Sequence, residues 1–221
     1  MAEPQATVRL ALARAGDRLG RLLRMLLLVG VALAGGCSPM APEDFAGTEP
    51  RLLPEEFFAG RTRGFGFFQD RFGRIRREFR VDMVGRLEGD TLTLEEEFFY
   101  QDGERERRTW TIRKLAPGRY EGRSADIEGV ATGRAEGRAT NWRYTFLLPI
   151  GGSRWSFAVD DWMLLQDRET MLNRSTFSKF GIEVGQAVIV FHKLPAHAEE
   201  GAAERARAST GAEGALLAAA E

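Results

Sequence analysis

From Arg74 to Leu87 the side chains alternate in kind. Ile75, Arg77, Phe79, Val81, Met83 and Leu87 fall on one side, and Arg74, Arg76, Glu78, Arg80, Asp82 and Arg86 on the other. A repeat of two is the spacing of a half-buried β-strand. Glu88-Gly89-Asp90 reads as a turn, and Thr91 to Tyr100 follows with Leu92, Leu94 and Phe98 sharing a face. The Asp102-Gly103 pair is a hairpin signal, and the run Arg105 to Leu115 after it turns Trp110 and Ile112 inward. Tyr120 to Ser124 and the glycine-rich Glu128 to Ala135 read as shorter strands. Ala139 to Ile150 places Trp142, Tyr144, Phe146 and Leu148 on one face; Gly151-Gly152 turns the chain into Ser153 to Gln166, where Trp155, Phe157, Val159, Asp161 and Met163 share a side. Thr170 to Lys179 and Val184 to Lys193 close the series, and Arg61 to Arg71 opens it, which makes nine or ten strands at hairpin spacing.

No long segment carries a helical repeat. Sequential hairpins with one apolar face remove their exposed edges by closing on themselves. The expected fold is all-β, an up-and-down antiparallel barrel of lipocalin or calycin type, with a β-sandwich as the alternative. The outward faces carry Arg, Glu and Asp rather than the apolar band of a barrel that spans an outer membrane.

The ends of the chain differ from this pattern. Arg14, Arg18, Arg21 and Arg24 precede an uncharged apolar run, Met25 to Ala34, and then Gly35, Gly36 and Cys37. These are the parts of a secretory signal, and the run is shorter than the roughly 20 residues of a membrane span. Leu33-Ala34-Gly35-Gly36-Cys37 resembles the lipobox of bacterial lipoprotein precursors. That resemblance implies removal of a signal peptide, residues 1–36, lipid on Cys37, and attachment to a membrane. Ser38, which is not Asp, implies the periplasmic face of the outer membrane. Residues 37–56 carry Pro39, Pro42, Pro50 and Pro54 and read as an extended tether. Residues 195–221 are Ala, Glu, Arg and Gly with few large apolar side chains and read as a disordered or weakly helical tail. The barrel is expected over 57–194.

Composition then narrows the chemistry. Removing residues 1–36 takes away five Arg, Glu3 and Asp17, which leaves 26 Lys and Arg against 30 Asp and Glu, a net charge of −4. That balance offers no footprint for nucleic acid. Cys37 is the sole cysteine and the only histidines are His192 and His197. No disulfide within the chain, thiol-based metal site or histidine-rich metal site can be built, and no cofactor or metal is expected.

Several phrases together carry a family resemblance: Phe58-Ala59-Gly60, Gln69-Asp70-Arg71-Phe72-Gly73, Gly89-Asp90-Thr91-Leu92, Asn141-Trp142-Arg143-Tyr144, Asp160-Asp161-Trp162-Met163, Asn173 and Ser178-Lys179-Phe180-Gly181. They resemble DUF3833, a family of proteobacterial proteins often described as lipoproteins, over about Phe45 to Lys193. A looser similarity links Phe57-Phe58-Ala59-Gly60 and Gln69-Asp70-Arg71-Phe72 to the first strand of bacterial outer-membrane lipocalins. The lipocalin Gly-x-Trp stands here as Gly60-Arg61-Thr62, so this similarity implies a like barrel and no more.

Candidate site residues follow from the inward faces. Asp160 and Asp161 are neighbours on a strand and point to opposite sides, so only Asp161 enters the interior. Arg77 and Glu96 also fall on apolar faces, and a network of Arg77, Glu96 and Asp161 is expected, either as a structural ion cluster or as part of a ligand site. Trp142 and Tyr144 either floor a pocket or fill a small barrel outright. Phe79, Met83, Phe98, Trp110 and Phe157 complete an adaptable apolar lining. Asp70 to Gly73 reads as a turn, and Ser178-Lys179 as a strand end rather than a nucleophile pair.

Three functions are open at this point. The first is a membrane-anchored barrel that binds an apolar or amphipathic small molecule such as a lipid or fatty acid. The second is an envelope interaction protein without ligand and with an unidentified protein partner. The third is an enzyme using one inward carboxylate.

Overall fold

A computed structural model describes residues 40–195. The signal peptide expected over 1–36, the lipidation site Cys37 and the tail from 196 onward lie outside the described residues. Ten strands close into one antiparallel barrel: β1 (Gly60–Asp70), β2 (Ile75–Glu88), β3 (Thr91–Tyr100), β4 (Arg105–Ala116), β5 (Arg119–Arg123), β6 (Ile127–Glu136), β7 (Ala139–Ile150), β8 (Ser153–Leu165), β9 (Thr170–Lys179) and β10 (Ile182–Leu194). Each strand pairs with its sequence neighbour, and β1 pairs with β10 to complete the circle. The barrel, not the sandwich, is the architecture.

The alternation of the sequence is the alternation of the wall. Val81 and Met83 of β2, Leu92, Leu94 and Phe98 of β3, and Ile112 of β4 are buried inside. The outer face carries cross-strand ion pairs: Arg63 with Asp82 at 2.6 Å, Arg86 with Glu95 at 2.9 Å and Arg113 with Glu121 at 2.9 Å. Such exposed pairs contribute little stability each, but they keep this face in water.

Turns sort the barrel into two ends. The β2–β3, β4–β5, β6–β7 and β8–β9 hairpins lie at one end, together with the chain entry to β1. The β1–β2, β3–β4, β5–β6, β7–β8 and β9–β10 hairpins lie at the other. The first end is closed by the residues that precede β1. The segment expected as an extended tether is packed structure from Pro42: a 3-10 turn at Pro42–Phe45 and one α-helical turn at Pro54–Phe57. Phe45 packs on Trp162 with ring centroids 5.9 Å apart, on the outside of the wall. Leu52, Phe57 and Phe58 are buried at 1%, 5% and 3% exposure. Leu52 donates its backbone N–H to the Gly137 carbonyl at 2.9 Å. Glu55 accepts from Lys114 Nζ at 2.6 Å and from the Tyr120 hydroxyl at 2.8 Å. Lys193 Nζ donates to the carbonyls of Glu56, Phe57 and Ala59, the orphan acceptors at the end of the helical turn. The physical reason for the difference from a free tether is the apolar floor of the barrel. Leu52, Phe57 and Phe58 cover it, and that burial outweighs the ordering of a proline-bearing segment.

Candidate functional site

The closed end and the ten-strand wall leave a lumen. It is a cavity of about 960 Å³ that reaches the surface at the opposite end, among the Tyr100, Glu104 and Leu148 side chains. This volume is at the upper end of what small-molecule sites occupy. Trp142 and Tyr144 therefore do not fill the barrel.

All ten sequence-predicted site residues line this cavity: Arg77, Phe79, Met83, Glu96, Phe98, Trp110, Trp142, Tyr144, Phe157 and Asp161. The aromatic members are interlocked. Phe79 meets Phe98 edge-on at 5.6 Å and Tyr100 at 5.9 Å, and Trp110 meets Tyr144 edge-on at 5.5 Å. Quadrupoles in these arrangements hold the rings in place and keep their faces available to an apolar occupant. Trp142 lies against Gly133, where a Cβ would stand 2.7 Å from its ring. Glycine on β6 is what lets the indole lie flat on the wall.

The charged groups do not form the expected trio. Arg77 is held at the mouth, stacked 3.4 Å over the Tyr100 ring and paired with Asp102 and Glu104. Its strand has just left the β1–β2 hairpin, so its long side chain reaches the rim and not the depth of the lumen. Arg108 takes the interior position instead. The β3–β4 register sets it opposite Glu96, and its side chain is 18% exposed. Arg108 Nη1 is 4.0 Å from Glu96 Oε2, Nη2 donates to Glu106 Oε1 at 3.1 Å, and Nε forms an ion pair with Asp126. The guanidinium also lies 5.1 Å from the Phe98 ring centre and 5.2 Å from that of Phe146. Arg108 shares the alternating face of Trp110 and Ile112, which is the signal in the sequence that marks it as inward.

Two carboxyls are strongly perturbed. Burial lifts Glu96 to about 7; Arg108 opposes this, while the charges of Asp126, Asp161 and Glu106 add to it. Burial likewise lifts Asp161 to about 6, against the hydrogen bonds from Asn173 and Ser175. Asn173 Nδ2 and Ser175 Oγ both donate to Asp161 Oδ1, the latter at 3.0 Å. Arg108 is raised: desolvation pulls it down, and Glu96, Asp126 and Glu106 outweigh that. Tyr144 is pushed well above its ordinary value by burial, with Asp161 adding, so its hydroxyl stays protonated as a donor.

Polar capacity is left over beside the ion cluster. Arg108 Nε, Asp126 Oδ1 and Ser124 Oγ are buried without an aligned hydrogen bond. Asp126 meets Arg108 Nε through Oδ2, so the ion pair takes up the one Nε hydrogen and the spare capacity is the acceptor oxygen Oδ1 of Asp126. The lumen thus has an apolar body and one polar wall at β4 and the β5–β6 hairpin. Asp160, outside, accepts from Asn141 Nδ2 at 2.7 Å and Trp162 Nε1 at 3.2 Å and holds the N-terminal packing surface. His192 is exposed on β10, away from the lumen lining.

The chain is similar to the S-type phycobiliprotein lyase CPES from Guillardia theta, at 10% identity and a TM-score of 0.48, over 71% of this chain and 99% of that one. It is also similar to a DUF3598-family protein of unknown function from Nostoc punctiforme, at 11% identity and a TM-score of 0.42; the match takes in 67% of this chain and about half, 53%, of that one. No curated protein matches its sequence. Residues 31–193 match the family described as "Protein of unknown function (DUF3833)", and the chain belongs to that family.

Proposed function

We propose that the barrel binds an apolar or amphipathic small molecule, lipid-like or fatty-acid-like, in its lumen. The observation that carries this reading is the cavity of about 960 Å³, walled by Phe, Trp, Tyr and Met side chains, open at one end and sealed at the other. Water in so apolar a space is poorly bonded, and an alkyl chain that displaces it gains the hydrophobic free energy of its own burial. The open Asp126 Oδ1, beside the Arg108 guanidinium on the lumen lining, suits a polar head group, which gives the ligand a direction. Mass spectrometry of organic extracts from the purified full chain tests this. The expected result is a stoichiometric alkyl-chain compound; a clean extract from a protein that also fails to take up the fluorescent apolar probe N-phenyl-1-naphthylamine would remove the reading.

The sequence from Arg14 to Cys37 supports placing this barrel in the cell envelope, attached by lipid on Cys37 to the periplasmic face of the outer membrane. Cells grown with labelled palmitate should mark the wild type and leave Cys37→Ser unmarked; an unmarked wild type takes the anchor away without touching the lumen.

A further inference from the structure

The open end of the barrel has two unlike halves. Among the described residues, seven of the twelve large apolar side chains that are exposed lie on three of the hairpins at this end. Phe72 and Ile75 stand on the β1–β2 hairpin at 75% and 54% exposure, and Phe180 and Ile182 on β9–β10 at 91% and 57%. Leu148, Ile150 and Trp155 are the exposed members on β7–β8. Because β1 is bonded to β10 and β9 to β8, these three hairpins are consecutive around the rim. They form one arc rather than scattered tips.

The same arc is basic. Residues 70–76, 147–155 and 179–183 contain Arg71, Arg74, Arg76, Arg154 and Lys179 against Asp70 and Glu183, five cations to two acids. The other two hairpins of this end are the reverse. Residues 100–106 and 123–128 hold Asp102, Glu104, Glu106, Asp126 and Glu128 against Arg105 and Arg123. Charge of one sign therefore coincides with the exposed apolar groups, and charge of the other sign lies across the mouth.

Phe180 adds an independent observation. Its φ is 52°, which makes it the one non-glycine residue with positive φ among the described residues. A bulky side chain in left-handed backbone is costly, and this one is repaid by no burial in the fold. Gly181 follows it with φ 76°, so the turn throws the ring outward. Lys179 Nζ is 5.0 Å from the Phe180 ring centre and 5.6 Å from that of Trp155, which ties the cation to both exposed aromatic groups.

We infer that this arc docks the barrel mouth onto an anionic lipid bilayer. Aromatic and aliphatic tips of this size enter the head-group region, while flanking Arg and Lys meet lipid phosphates. A protein partner of matching acidity would need a shaped surface; three hairpin tips whose glycines Gly73, Gly151, Gly152 and Gly181 have no neighbour within 4 Å of a built Cβ suit a fluid one. Leu148 belongs both to the arc and to the lumen lining, so the docked mouth leaves an apolar path between bilayer and cavity. The acidic half of the rim keeps the barrel tilted, with the arc down.

The test uses the full chain, vesicles of phosphatidylethanolamine and phosphatidylglycerol at three to one, and brominated lipid as a contact quencher of tryptophan. Trp155 is outside the lumen lining. The expected result is a quenched fraction that disappears in Trp155→Phe. It should also fall at least about tenfold in apparent affinity in the triple variant Arg71→Glu, Arg74→Glu, Arg154→Glu or in phosphatidylcholine vesicles. Phe72→Ser with Ile150→Ser and Phe180→Ser should lose the same quenching at an unchanged melting temperature, because these side chains are exposed. Trp110 and Trp142 line the lumen and report lipid taken up there, so the rim signal is the quenching that the wild type shows in excess of Trp155→Phe; an excess that is absent, or that is the same for all charge variants, overturns the inference. So does a wild type that sediments as a dimer and becomes monomeric in the serine variant without any quenching to lose, since the arc would then join two copies. This readout follows the rim, whereas lipid extraction follows the lumen, so the two proposals fail separately.

Discussion

Glu96 and Arg108 are register partners across β3 and β4, both directed into the lumen, with charged atoms 4.0 Å apart. That distance is an attraction without a direct hydrogen bond, and it does not offset the desolvation of the carboxyl. Glu96 is therefore lifted to about 7 from its model-compound 4.5, and Asp161 to about 6 from 3.8. Folded values above unfolded ones mean that the native state holds more protons between roughly pH 4 and 7, so stability decreases as pH rises through that window. One unit is about 1.4 kcal/mol, which sets an upper scale of about 3 kcal/mol for each group. The melting temperature should be higher at pH 5 than at pH 8. Glu96→Gln should raise it at pH 8 and flatten the profile. Identical wild-type midpoints at the two pH values would contradict this.

Gly85 supports the closed end. A Cβ built there would run into the Phe58 carbonyl, which is backbone and cannot swing away. Gly85→Ala should displace the closing segment and cost about 1–3 kcal/mol by overpacking. Loss should appear as earlier thermal unfolding and as faster amide exchange at Leu52, whose N–H is bonded to Gly137. An unchanged Leu52 exchange rate would show that Phe58 is not the element that holds the segment.

These two sites differ in how far the sequence reveals them. The inward positions of Glu96 and Asp161 follow from period two alone, because a strand has only two faces and the apolar neighbours name one of them. Arg108 obeys the same rule beside Trp110 and Ile112, but a lone arginine in the highly charged Arg105-Glu106-Arg107-Arg108 run looks like solvent-facing surface. Its burial depends on cross-strand register, which a single strand does not carry. The closing segment is harder still. Four prolines between 39 and 54 describe a chain with extended local preferences, and only the floor of the assembled barrel makes Leu52, Phe57 and Phe58 worth ordering. The expected Arg77, Glu96 and Asp161 trio fails for a related reason: side-chain reach carries Arg77 to Glu104 at the rim.

Ala187 lines the lumen on β10, opposite Ser175 of β9 and Phe68 of β1. It is a small side chain where the cavity has room. Ala187→Phe should project a ring into the space an apolar ligand needs. The variant should fold with little change in melting temperature, since the ring is placed in a void rather than in packed core. N-phenyl-1-naphthylamine uptake should drop at least about tenfold, in line with the loss of one buried ligand ring or a few methylenes. Undiminished uptake would mean that the probe sits elsewhere, and the lumen reading would lose its support.

The polar wall sets a preference among head groups. Near Arg108 stand Glu96, Glu106 and Asp126, and Asp161 lies on the facing wall, so acids outnumber the one interior arginine. An ionised carboxylate brought into this space meets an excess of like charge at low dielectric, where a single unbalanced pair at about 7 Å is worth roughly 2 kcal/mol at an effective dielectric of 20. A hydroxyl can donate to the open Asp126 Oδ1 without that penalty, because it is neutral and brings its own donor hydrogen. Dodecanol should therefore displace a bound fluorescent probe at concentrations about tenfold lower than dodecanoate at pH 8. The gap should narrow at pH 5, where Glu96 and Asp161 carry protons and repel less. Asp126→Asn should narrow it at pH 8 as well. Displacement by dodecanoate as effective as by dodecanol at pH 8 would place the head group away from β4, at the mouth beside Arg77.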